Sequence, residues 1–143
     1  MIERVVSEWK SFVRGELPDG LAQLLDEDIV LYSPIVFTPQ RGKEVASLYL
    51  AAAAQTFGGE RNPATTQPGH IDGSFRYTKT VLGGDTAVLE FETTMEGKYV
   101  NGVDIIQCNE RAKIIEFRVM IRPLQAVNLV HQQMAAMLET MRA

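Results

Sequence analysis

An α+β domain is predicted, with short helices ahead of a long antiparallel meander and one helix behind it. Two observations predict it. Within residues 86–122 three consecutive segments, TAVLEFETTM, YVNGVDIIQCN and AKIIEFRVMIRP, alternate apolar and polar residues with the period of a strand. On either side, residues 2–13, 43–57 and the chain after Pro123 repeat apolar residues with the period of a helix.

The first helix carries Val5, Val6, Trp9, Phe12 and Val13 on one face and Glu3, Arg4, Glu8 and Lys10 away from it, and Gly15 stops it. Pro18 suits the first turn of a second short helix over residues 21–25. Residues 29–33 read as a strand ended by Pro34, and residues 39–42 as a turn. The third helix, residues 43–57, presents Val45, Leu48, Tyr49, Ala52 and Ala53, and its alanine run allows close approach to a sheet. Residues 59–73 are rich in Gly, Pro, Asn and Thr and are expected to form a long loop. A strand over residues 74–82 puts Phe75, Tyr77 and Val81 on one face. The closing helix gathers Ala126, Val127, Val130, Met134, Met137, Leu138 and Met141.

In the meander, short connectors at Glu96-Gly97-Lys98 and at residues 109–112 suit hairpins, so its three strands are expected to pair antiparallel in chain order. Alternation assigns Leu89, Phe91, Val103, Ile105, Ile115, Phe117, Val119 and Ile121 to one face. Glu90, Glu92, Asp104, Cys108, Glu116, Arg118 and Arg122 fall on the other. Glu90, Asp104 and Arg118 then become cross-strand neighbours.

A chain of 143 residues, 45% hydrophobic and 22% charged, suits a single domain over residues 1–143 with one core. The net charge of -4 and the scattering of 14 Lys and Arg provide no basic field for phosphates, so nucleic acid is not an expected partner. Cys108 is the single cysteine, which leaves no intrachain disulfide and no cysteine-based metal set. No metal and no cofactor is expected, for the chain lacks a His-x-x-x-His pair, a phosphate loop and a nucleophile elbow. The opening residues read as neither a signal peptide nor a membrane span, so a cytoplasmic location and no membrane partner are expected.

Three stretches, LAQLLDEDIVLYSPIVFTPQRGKEVASLYL, GGDTAVLEFETTMEGKYVNGVDII and AKIIEFRVMIRPL, resemble the nuclear transport factor 2-like superfamily and, within it, the SnoaL-like group. The resemblance implies a strongly curved sheet forming a cone, closed by N-terminal helices, with an apolar pocket inside. It is specific for fold and weak for activity, because the scaffold hosts cyclases, epoxide hydrolases, isomerases and dehydratases. Enzymes of the group place an Asp or His on the inner face of the late strands. The corresponding segment here, Phe117-Arg118-Val119-Met120, has neither. Glu92, Asp104 and Arg118 form the nearest set to the two aspartates and arginine of the epoxide-hydrolase members.

If that set faced the pocket, an apolar wall would raise one carboxylic acid towards neutrality while the arginine held another ionised, separating proton donor from acceptor. If it faced away, it would be a salt-linked outer surface, solvated or buried in a homodimer. Alternation favours the outer surface. Tyr32, Leu48, Tyr49, Phe91, Phe117 and Val119 are the expected ligand contacts, suiting a small hydrophobic molecule. Isomerisation, cyclisation or epoxide opening are the chemistries expected of a catalytic version. A non-catalytic binding module, or a homodimeric assembly module, is the alternative. His70 in the long loop is expected to be exposed, and His131 on the closing helix has no partner in the sequence at metal-ligand spacing.

Overall fold

The structure, a computed structural model, describes residues 1–17, 20–57 and 75–142; the expected loop over residues 59–73, with His70, lies outside them. The chain order is α1 (Ile2–Val13), a 3-10 turn (Leu21–Gln23), β1 (Leu25–Tyr32), β2 (Gln40–Arg41), α2 (Lys43–Thr56), β3 (Arg76–Gly83), β4 (Thr86–Met95), β5 (Lys98–Cys108), β6 (Ile114–Arg122) and α3 (Leu124–Arg142). The six strands form one curved sheet in the order β2-β1-β6-β5-β4-β3. Neighbours pair antiparallel except β1 and β6, which run parallel. The α+β class and the meander are as expected. The second helix is only a turn, and the strand after it starts at Leu25 because Leu24 and Leu25 both reach the core.

Helix α1 lies over the inner face of the sheet because Ile2, Val5, Val6, Trp9 and Val13 recur at three- and four-residue spacing, and all five are buried. Gly15, at φ 75°, ends it. The amide of Gly15 donates to the Phe12 carbonyl and that of Glu16 to the Ser11 carbonyl, which satisfies two of the carbonyls left open by the last turn. Helix α2 turns Ala46, Leu50 and Ala52 into the core and leaves Val45 exposed. Its start is tied to the sheet by the Gly42 amide, which donates to the Ile29 carbonyl. Ala126, Leu129 and Val130 seat α3.

The facing of the central strand differs from the expected one, and the turn that precedes it is the reason. Met95 pairs with Lys98, so the β4–β5 loop is the two residues Glu96 and Gly97, at φ 49° and 75°. Two successive positive φ values give the tight hairpin whose twist matches paired strands. Any such loop pairs an odd-numbered residue with an even-numbered one. The inner face therefore runs through Leu89, Phe91, Thr93 and Met95 on β4, but through Val100, Gly102, Asp104, Ile106 and Cys108 on β5. The β5–β6 pairing again joins odd to even, and Phe117 returns to the inner face.

Three expectations are corrected by this register. Asp104 lies between Leu89 and Val119 rather than between Glu90 and Arg118. Cys108 is buried on the inner face, where loss of hydration pushes its thiol up. Val103 and Ile105 point to the outer face, since Val103 pairs with Glu90 and Met120, and Ile105 with Val88 and Arg118. On β3, a bulge between Tyr77 and Lys79 turns the strand over: Tyr77 faces in beside Phe91, whereas Val81 faces out beside Val88.

Gly102 sits opposite Phe91 on the inner face, and its missing side chain is what lets the ring lie across β5. A Cβ placed there would stand 2.5 Å from the Met120 carbonyl oxygen and 2.5 Å from Cζ of Phe91. Gly102→Ala is expected to lower the unfolding free energy by about 2 kcal/mol in urea titration, the usual size of an overpacking penalty. An unchanged midpoint would show that Phe91 and β6 yield without cost.

Candidate functional site

Between the helices and the inner face of the sheet lie two neighbouring chambers that share four wall residues. The deep one, about 50 Å³, is walled by Trp9 and Val13 of α1, by Leu50, Ala53, Ala54 and Phe57 around α2, and by Phe75, Tyr77, Phe91, Asp104, Phe117 and Val119 from the sheet side. The outer one, about 200 Å³, lies towards α3 and the segment after β1, with Ile35, Tyr49, His131 and Met134 in its wall. Leu50, Ala53, Phe57 and Val119 border both.

Aromatic rings pack the deep chamber's wall. Phe75 stacks on Phe91 with ring centroids 5.1 Å apart and meets Tyr77 edge-on at 5.1 Å, while Trp9 packs edge-on against Phe117 at 4.7 Å. Such contacts add to area burial and leave little freedom to the polar atoms among them.

Among the described residues Asp104 is the only carboxylate in this wall, and it is 6% exposed. The Tyr77 hydroxyl donates to its Oδ2 at 2.5 Å, and Trp9 Nε1 donates to the Tyr77 oxygen at 2.8 Å. Asp104 Oδ1 accepts no hydrogen bond among the described residues. Burial pushes the carboxyl up from 3.8 to about 7, and the bond from Tyr77 pulls weakly the other way. Loss of hydration wins because, among the described residues, neither chamber is lined by Lys or Arg. Near pH 7 Asp104 is therefore poised between a neutral acid that can donate through Oδ1 and a carboxylate that can accept.

The expected catalytic set is not brought together. Glu92 lies on the outer face, bonded by Arg76 and by the Tyr99 hydroxyl at 2.8 Å, and these bonds, Arg76 first, hold it below the usual carboxylate range. Arg118 also faces outward, 3.1 Å from Glu116, with its guanidinium 3.8 Å over the Tyr32 ring. Only Asp104 of the three enters the cone, because at this level β5 turns its even-numbered residues inward whereas Glu92 on β4 and Arg118 on β6 lie on the opposite face.

Of the expected ligand contacts, Phe91, Phe117 and Val119 line the deep chamber and Tyr49 the outer one. Tyr32 sits instead in a shallow outer groove with Phe37 and Met120, since Ile29 and Leu31 take the inner positions of β1. Leu48 borders neither chamber; Leu50 does, because it points to the same side of α2 as Ala46. Sequence reasoning gave Tyr77 little weight and took Trp9 for plain core. The pairing of a polar ring tip with a buried carboxylate carries no local signal across the 27 residues that separate Tyr77 from Asp104. His131 is exposed and borders the outer chamber. Among the described residues no group of three or more His, Cys, Asp or Glu side chains is placed to hold a metal ion, and no helix is long and apolar enough to cross a membrane.

No protein-family model matches the chain, and no curated protein matches it. Solved structures do. A steroid delta-isomerase from Pseudomonas aeruginosa superposes with a TM-score of 0.80 at 23% identity, over 97% of this chain and 92% of that one. An NTF2-like protein of unknown function from Mesorhizobium loti gives 0.65 at 19% identity, over 85% and 91%. The epoxide hydrolase/cyclase-like enzyme SalBIII, of pyran ring formation in the polyether salinomycin, gives 0.61 at 14% identity, over 85% and 90%. At these identities the likeness speaks for architecture, and with the helix-capped curved sheet it establishes that the chain has the nuclear transport factor 2-like fold.

Proposed function

We propose that the protein binds a small, mostly hydrophobic molecule in the cone and that Asp104 acts on an oxygen of that molecule as a proton donor and acceptor. The observation that carries this is a carboxyl group at the end of an aromatic chamber, buried, poised near neutrality, and held by Tyr77 through one oxygen only. A general acid works best when its pKa lies near the working pH. Trp9 and Tyr77 fix the carboxyl plane, so that Oδ1 is the atom presented to a ligand. A proton given to a carbonyl or epoxide oxygen and later recovered would serve isomerisation, cyclisation or epoxide opening, and the named enzymes among the fold's neighbours are of those kinds.

The outer sheet face supports an assembly reading beside this one. Val81 and Met120 are 54% and 52% exposed there, next to half-buried Val88, Val103 and Ile105. Apolar residues gathered on an outer face suit a second subunit better than water, and a homodimer through this face is part of the proposal. A cytoplasmic location is as well, suited to the lone unpaired thiol of Cys108.

Three outcomes test these readings. Asp104→Asn should fold normally and abolish turnover of a substrate found by screening isomerisable ketones and epoxides; unchanged turnover removes Asp104 from the chemistry. In its folded state Asp104 holds its proton between pH 4 and about 7, whereas in the unfolded chain it has lost it. Its contribution to stability is therefore full below about pH 4 and is lost as pH rises through about 7. At ~1.4 kcal/mol per tenfold change in proton affinity, the loss approaches roughly 4 kcal/mol. The stability difference between wild type and Asp104→Asn, from urea titrations at pH 5 and pH 8, should shift in favour of the variant at the higher pH, and a difference that does not move with pH would contradict a raised pKa. For the assembly, Met120→Glu should convert a dimer to monomer in sedimentation velocity, and a wild-type monomer would end that part of the proposal.

A further inference from the structure

The two chambers differ in size and chemistry in a way that constrains the ligand's shape. The deep one, about 50 Å³, contains the carboxyl. At ~20–30 Å³ for a group the size of a water molecule or methylene, it admits roughly two to three heavy-atom groups, the size of an acetyl end. The outer one, about 200 Å³, admits roughly seven or more on the same scale. Leu50, Ala53, Phe57 and Val119 border both, and Ala53, on α2, is the smallest of the four. Among the described residues neither chamber is lined by Lys or Arg, so a carboxylate or phosphate entering the cone would lose its hydration without a counter-charge from them.

From this geometry, and resting on the proposed role of Asp104, we infer that the ligand is an uncharged chain of medium length whose oxygen function is small and terminal, such as a methyl ketone, aldehyde or terminal epoxide. A ring carbonyl is too wide for the deep chamber as it stands. The oxygen meets Asp104 Oδ1, the carbon next to it lies among Trp9, Phe91 and Phe117, and the apolar body passes Ala53 into the outer chamber.

The test uses straight-chain methyl ketones from butanone to undecanone, with binding read by the fluorescence of Trp9, the single tryptophan of the chain and part of the deep chamber's wall. Affinity should rise about fourfold per methylene, the value of burying one such group, and level off at heptyl methyl ketone. Dibutyl ketone, which has the same formula but a central oxygen, should bind roughly tenfold more weakly, since reaching Asp104 would force a butyl arm into the deep chamber. Ala53→Leu, and independently Val119→Leu should the first fail to fold, should flatten the dependence on chain length. Equal binding of the two isomers, or a chain-length series that is flat in the wild type, overturns the inference. Asp104→Leu, which keeps the size of the side chain but has no hydrogen-bond donor, separates it from the reading it rests on. If the variant binds heptyl methyl ketone as well as wild type does, the role of Asp104 fails, and with it the terminal-oxygen inference. If the variant binds more weakly but the isomers are equal, only the inference fails.

Discussion

The two-residue turn at Glu96 and Gly97 sets the pairing of β4 with β5, and the chemistry of the cone depends on that pairing. With Met95 opposite Lys98, even-numbered residues of β5 point inward along its whole length. Asp104 enters the apolar interior as a consequence, and Val103 and Ile105 leave it. A connector longer by one residue would exchange the two sets, burying two aliphatic side chains and hydrating the carboxylate. Hydrophobicity alone would favour that exchange on β5. It is outweighed because β4 and β6 already present Leu89, Phe91 and Phe117 to the core, and because Val100, Ile106 and Cys108 of β5 come inward together with Asp104.

A buried carboxyl is tolerable here because it can keep its proton. An ionised group at 6% exposure, with no Lys or Arg beside it among the described residues, would be strongly unfavourable. A neutral one needs only hydrogen bonds, and Tyr77 supplies one, itself fixed by Trp9. The bulge on β3 contributes to this arrangement by turning Tyr77 inward at the level of Asp104 while the rest of the strand reverses its facing. Three elements distant in sequence, α1, β3 and β5, thus converge on one oxygen atom. The same convergence leaves Oδ1 as the polar feature of an otherwise apolar chamber, which is the arrangement expected where a ligand is to be held by shape and oriented by a single polar contact.

The outer face has a different character. Glu92 with Arg76 and Tyr99, and Glu116 with Arg118 over Tyr32, form exposed or half-exposed pairs. Pairs of that kind contribute little to stability. Val81, Val88, Val103, Ile105 and Met120 lie on the same face, with Glu90 beside Val103 and Arg118 beside Ile105.

The sequence by itself determined the class of fold, the three long helices, the order of the meander strands and the family likeness, because each rests on local periodicity and on residues such as Gly15 and Pro34 that interrupt it. It also singled out Phe91, Phe117, Val119, Tyr49 and Asp104. What it did not determine was which members of the charged row share a face. The period of a strand assigns residues to two sides, but it does not say which side is inner, and a one-residue uncertainty in a turn reverses the answer for every residue that follows. Tertiary structure decided that Glu92 and Arg118 meet the outer surface while Asp104 meets Tyr77 and Trp9. The reason is physical: facing is fixed by hydrogen-bond register between strands, and a buried polar partner is fixed by packing across the cone, neither of which is written in the spacing of neighbouring residues.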